Sequence, residues 1–267
     1  MAESRKVTKL FGAAGAALLA LSGAALADGY EGSVKDAPAE EGRKFTYSFT
    51  ATGTSDYVFR GISQTENEPA IQGAVNVGYG ILYAGIWASN VDFGNALDTA
   101  EIEVDYYAGI KPTWGPATFD FGVIYYAFPG FSPGFDPEVL ELKAGVSGEI
   151  LKGLTAGATL YYSPDYNDLD YFVYEGTLAY TLPTFHIFTP TISGVVGQYD
   201  WDSPAANKVF DYTYWNVGLA LAVEKLTFDF RYWDTDASSS STSTDCFGVL
   251  PSTCGERFVF SVSLTLP

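Results

Sequence analysis

From Phe45 onward the chain alternates. One side reads Phe45, Tyr47, Phe49, Ala51, Gly53, Ser55, Tyr57 and Phe59, and the other Thr46, Ser48, Thr50, Thr52, Thr54, Asp56, Val58 and Arg60. A period of two belongs to an extended strand, whose successive side chains point to opposite faces, and it does not fit a helix. Read to Arg60, the run is about sixteen residues long, against the five or six of an ordinary globular strand. The signature returns in Glu101 to Ile110, where Ile102, Val104, Tyr106, Ala108 and Ile110 oppose Glu101, Glu103 and Asp105. It appears again in Leu226 to Trp233 and in Arg257 to Leu266. Less regular strands are expected near 70–79, 82–89, 118–126, 139–148, 154–162, 171–180, 189–199 and 213–223, about twelve in all. In the 82–89 strand the phase stays open, because Leu82 and Ile86 compete with Tyr83 and Trp87 for the apolar side.

The connections between these strands sort by length. Gly80-Ile81, "KPTWGPA", "EILKG", "TLPTFHIF" and Glu224-Lys225 are short. "GISQTENEP", "NVDFGNALD", "AFPGFSPGFDP", "SPDYNDLD", "DWDSPAANKVFD" and the stretch from Asp234 to Gly255 are mostly longer and acidic. Short turns at one end, long loops at the other and an even strand number predict a transmembrane antiparallel up-and-down β-barrel of about 12 strands. A soluble sandwich has no reason to sort its loops, and it would need protein over both faces of each strand.

Composition narrows the class further. Arg5, Lys6 and Lys9 precede an apolar run ending at Leu21, and Ala25-Leu26-Ala27 supplies a small-x-small cleavage pattern, so 1–27 reads as a signal peptide. Residues 28–43 are polar and unpatterned and read as a flexible periplasmic tail, leaving 44–267 for the barrel. No later apolar run approaches the ~20 residues of a membrane helix. With 14 Lys and Arg against 32 Asp and Glu, a formal charge of −18, no nucleic-acid partner is expected. Aromatics make up 16% of the chain alongside 28 glycines, which suits strands and turns rather than a soluble enzyme.

Polarity assigns the faces. A charge toward lipid near the bilayer midplane is costly, so Glu101, Glu103 and Asp105 must look inward, while Tyr57 and Phe59 at one end and Phe45 and Tyr47 at the other fit two interfacial girdles. The expected pore-lining set is Asp56, Arg60, Glu101, Glu103, Asp105, Asp120, Glu141, Lys143, Glu175, Asp229 and Arg231, with Arg257 a further candidate. Arg60 reads either as a cation at the eyelet or as a tether holding acidic loops to the rim. Asp56 lies too far along an extended strand to pair with it directly, about 13 Å. An excess of carboxylates favours cations over anions in an open lumen, although the same groups serve simply to hydrate an interior.

The segment "TSDYVFRGISQT", followed by "PAIQG" at Pro69 to Gly73, resembles the TorF family of outer-membrane porins. That resemblance implies an outer-membrane barrel of a Gram-negative bacterium, contacting outer-membrane lipids and lipopolysaccharide, passing small polar solutes or cations, and inserted by the barrel-assembly machinery. One departure from the class is an end at Leu266-Pro267, where such barrels commonly close on an aromatic.

Other constellations point to no chemistry. His186 is the lone histidine and falls on a short turn, which argues against an outer-membrane hydrolase, so no enzyme and no catalytic residue is expected. Cys246 and Cys254 are placed to form a disulfide in an exported protein. The groups Asp165, Asp168 and Asp170, or Asp200 and Asp202, lack a complete calcium-loop pattern and read as solvated acidic loops, so no metal or cofactor is expected. The rival to a small passive porin is a closed barrel acting as an adhesin or ligand-binding module through its acidic loops.

Overall fold

The computed structural model describes residues 45–93, 100–131, 138–166, 169–202, 211–237 and 253–267. The expected leader and tail lie outside them. The strands in chain order are β1 (Phe45–Thr54), β2 (Val58–Phe59), β3 (Ile62–Ser63), β4 (Ala70–Tyr79), β5 (Leu82–Asn90), β6 (Ile102–Ile110), β7 (Thr113–Trp114) and β8 (Ala117–Ala127). They continue as β9 (Val139–Leu151), β10 (Leu154–Ser163), β11 (Asp170–Thr181), β12 (Thr189–Asp202), β13 (Tyr212–Val223), β14 (Leu226–Thr235) and β15 (Arg257–Leu266). Among the described residues, the twelve long strands pair antiparallel around a ring, with β6 bonded to β8 and β1 to β15. At the closing seam Phe49 lies opposite Leu266 and Thr54 opposite Ser261. Closure joins the first and last wall strands edge to edge, so their ladder groups bond to each other as a lipid-spanning sheet requires.

The alternation sets the wall. Phe49, Val75, Leu142, Leu178, Val196 and Val217 stand outward and exposed. Their sequence neighbours turn inward as hydroxyls, amides, small residues or charges. Across the seam the inward groups bond to one another, Thr50 to Thr265 at 3.2 Å and Thr52 to Ser263 at 2.9 Å. The open phase of β5 is settled by the Tyr83 hydroxyl, which donates to Asp120 at 2.7 Å inside the barrel. Trp87 follows it inward and is buried, while Leu82 and Ile86 face out.

Two expectations fail in the first connection. β1 stops at Thr54 rather than running to Arg60, because the Thr54 hydroxyl donates to the Asp56 carbonyl at 2.8 Å and turns the chain off the wall. Tyr57 and Phe59 are therefore not girdle aromatics; each is 4% exposed and lies within the barrel. There they join Ile62, Trp87, Tyr126, Tyr171 and Tyr214 in an apolar core filling the lumen at the long-loop end. Phe45 and Tyr47, at the short-turn end, are exposed as a girdle demands.

Candidate functional site: an arginine-tipped plug in the lumen

The plug is the hairpin formed by β2 and β3, with Phe59 opposite Ile62 and Arg60-Gly61 as its turn. Both turn residues have positive φ, 45° and 85°, as the two-residue turns that follow the natural strand twist require. Asn or Gly is the usual occupant of the first position, and an arginine there is strained. What offsets the strain is the environment of its side chain. Arg60 bonds Glu141 of β9 through two parallel contacts of 2.7 and 2.9 Å, both side chains being 1% exposed. Glu141 also accepts from the hydroxyls of Tyr126 and Tyr171, each at 2.8 Å. The guanidinium carbon lies 4.6 Å from the Phe59 ring centre, 4.8 Å from that of Tyr161 and 5.3 Å from that of Tyr199.

A buried ion pair stabilises only when its remaining polar groups are also satisfied, and two tyrosine donors with three ring faces go far toward that. Burial works against the Arg60 charge, but Glu141 at bonding distance overrides it and holds the guanidinium pKa above its ordinary value.

The hairpin's foot is tied separately. Asp56 accepts from Ser63 at 2.6 Å, from Thr65 at 3.0 Å and from Arg257 of β15 at 3.0 Å. Gln64 passes its carbonyl to the Asp92 amide at 2.8 Å, and Ile62 bridges to Cys254. The inward loop is thus fastened to the wall and to two neighbouring long connections. Burial, then the charges of Glu103 and Asp105, push the Tyr57 hydroxyl well above the usual phenol range.

Further toward the short-turn end the inner wall carries charges without a plug. Lys143 bonds Asp120 at 2.7 Å, and Lys111 lies 3.7 Å from the same carboxylate. Arg231 holds Asp229 at 2.9 and 3.0 Å and reaches Asn216 at 2.6 Å and Ser193 at 3.0 Å. Glu175 accepts from the Tyr214 hydroxyl and makes no ion pair among the described residues. Around these groups the lining is Thr, Ser and small residues.

The family model described as "Bacterial protein of unknown function (Gcw_chp)" matches residues 38–266. The chain belongs to the Gcw_chp family. Comparison with curated proteins finds no match. Among solved structures, the NanC porin in a rhombohedral crystal form is similar with a TM-score of 0.52 at 13% identity, covering 83% of this chain and 100% of that one. The COG4313 outer membrane channel from Pseudomonas putida F1 gives 0.46 at 8% identity, covering 86% and 99%. At 13% identity the likeness to the NanC porin is one of fold, an outer-membrane type of barrel.

Most of the expected lining residues of this Gcw_chp chain do face the lumen. Glu103, Asp105, Asp120, Glu141, Lys143, Glu175, Asp229 and Arg231 project inward from the wall strands, whereas Asp56 and Arg60 arrive on the plug. Glu101 does not join them: it precedes β6 and is exposed, and its carbonyl accepts from the Val91 amide at 3.1 Å. Cys254 is disulfide-bonded, and Cys246 lies outside the described residues, as does Asp168. His186 occupies a short turn with its ring 4.4 Å from that of Phe185. Sequence reading missed the inward tyrosines, Tyr126, Tyr161, Tyr171, Tyr199, Tyr212 and Tyr214. The signal was available in β11, where Tyr171 shares the phase of Glu175, but a barrel's aromatics are expected on its outer girdles.

Proposed function

We propose that this protein is a small passive porin of the Gram-negative outer membrane, non-enzymatic, passing small polar solutes with a preference for cations. One observation carries the proposal: an apolar exterior encloses an interior lined by hydroxyls and charges, narrowed by a hairpin whose arginine is bonded to the opposite wall. The hairpin held by the Arg60–Glu141 pair fills the lumen at the long-loop end, so in this reading the plug is the constriction and solutes pass where it yields. Cation preference is supported by the inner carboxylates: Asp56, Asp120, Glu141 and Asp229 have cationic partners, while Glu103 and Glu175 form no ion pair among the described residues. Negative lining lowers the free energy of cations and raises that of anions. The resemblance of Thr54 to Gly73 to TorF porins points the same way.

The aromatic packing around the plug favours a second reading, a closed barrel presenting its acidic loops as a binding surface. Planar-bilayer recordings separate the two. A porin gives steady channels whose reversal potential across a KCl gradient shifts toward the potassium equilibrium value; a closed barrel gives no steady current, and an anion-side shift contradicts the selectivity.

A further inference from the structure

The cage around the Arg60 guanidinium is built mainly by the wall. Five consecutive wall strands give it one residue each: Tyr126 from β8, Glu141 from β9, Tyr161 from β10, Tyr171 from β11 and Tyr199 from β12. All five are at most 4% exposed. Each Glu141 oxygen takes one guanidinium N–H and one phenol. Oε1 accepts from Arg60 at 2.7 Å and from Tyr171 at 2.8 Å, and Oε2 accepts from Arg60 at 2.9 Å and from Tyr126 at 2.8 Å. Tyr199, whose ring faces the guanidinium, is braced by its own wall neighbours, 4.8 Å from Tyr171 and 5.3 Å from Tyr212 between ring centres. The occupant is held less well than the cage. Arg60 has a positive φ of 45°, and its Nε has no hydrogen-bond partner among the described residues. Its hairpin is anchored independently at the foot, where Asp56 meets Arg257 at 3.0 Å.

A carboxylate met by two parallel N–H groups selects the planar fork of a guanidinium over the point charge of an ammonium, and aromatic faces attract the same delocalised cation. These are the features of a receptor, and the tip of the plug fills it as a tethered ligand would. We propose that the wall cage is a solute subsite for guanidinium compounds, with Arg60 as its built-in competitor: a guanidinium solute displaces the Arg60 side chain from Glu141 and frees the tip of the hairpin. A free alkylguanidinium makes the same contacts without the backbone strain at residue 60. The tether gives Arg60 a high effective concentration, so a solute takes the cage only when it is abundant. The inference extends the porin reading by naming a solute class. As a binding site it stands apart from that reading, because occupancy is measured on the folded protein without a membrane current.

The test is calorimetric titration of n-propylguanidinium chloride, the Arg60 side chain cut at its Cβ, into the full refolded barrel in detergent micelles, with the heat-resistant gel mobility of a closed barrel as the folding check. The receiving variant is R60G, since glycine suits the positive φ and leaves the cage empty. We expect n-propylguanidinium to bind R60G about ten-fold or more tighter than it binds the wild type, whose own arginine competes. A similar margin should separate it from n-butylammonium on R60G. In R60G/E141Q its affinity should fall about ten-fold or more. No binding to R60G, equal binding to R60G and the wild type, equal binding of the two cations, or an affinity unchanged in R60G/E141Q overturns the proposal and leaves Arg60 and Glu141 a structural pair. Should R60G not fold, its refolding yield decides. Recovery with n-propylguanidinium but not with n-butylammonium supports the cage, whereas no recovery, or equal recovery with both, overturns it.

Discussion

Arg60 is held in a conformation that suits asparagine or glycine, and its side chain makes that tolerable. The pair with Glu141 is bidentate and dry, a geometry in which an arginine gains both direction and energy over a lysine. Removing one partner of such a pair strands the other, at a cost of about 3–5 kcal/mol. The two truncations are not equivalent. R60A leaves Glu141 with the Tyr126 and Tyr171 hydroxyls still donating to it, whereas E141A leaves a buried guanidinium with no carboxylate. Urea unfolding of the refolded protein should therefore show E141A as the more destabilised variant. The double variant R60A/E141A should lose less than the sum of the two. Strict additivity would mean that the contact contributes no coupling.

At the scale of elements, wall and plug obey different rules. The wall strands bond to two neighbours along their length, while β2 and β3 bond as strands only to each other. The plug should thus be displaceable without opening the ring. Gly61 offers the lever, since a Cβ there would stand 2.8 Å from that of Tyr214 and 2.9 Å from that of Thr235, at a φ of 85°. G61V should drive the hairpin out of the lumen, raise single-channel conductance severalfold and leave the heat-resistant gel mobility intact; an unchanged conductance would place the solute path elsewhere. The wall was legible because lipid outside and polarity inside impose period two on every strand, and because turn and loop lengths sort by end. The plug was not, because Thr54 to Arg60 keeps that same alternation after the chain has left the sheet. Only the Thr54 hydroxyl contact with the Asp56 carbonyl, a feature of three dimensions, ends β1. Arg60-Gly61 between apolar residues does not read as a hairpin turn either, since arginine is a poor occupant of positive φ. The partner of Arg60 lies 81 positions away, beyond any local pattern.

For the whole molecule, what matters is that one cylinder separates two solvents, and adjacent residues should report it. Val195 and Val196 sit midway along β12 and differ in little except direction. Val196 is 55% exposed on the outer face, beside Trp215, whereas Val195 is half-buried against the inner cluster, opposite Thr177 and Asn216. A lysine at 196 meets hydrocarbon, which costs about 2–4 kcal/mol near the midplane. At 195 the same lysine lays its stem along the inner aromatics and brings its charge toward Glu175, two residues before Thr177 on β11 and free of any ion pair among the described residues. Unfolding in lipid vesicles should therefore separate V196K from V195K by at least about 2 kcal/mol, V196K being the weaker. Transferred to detergent, whose micelle lets a lysine reach water over a shorter distance, the gap should narrow. If both variants lose stability equally in vesicles, β12 has no lipid face, and the outward apolar belt must be covered by protein instead.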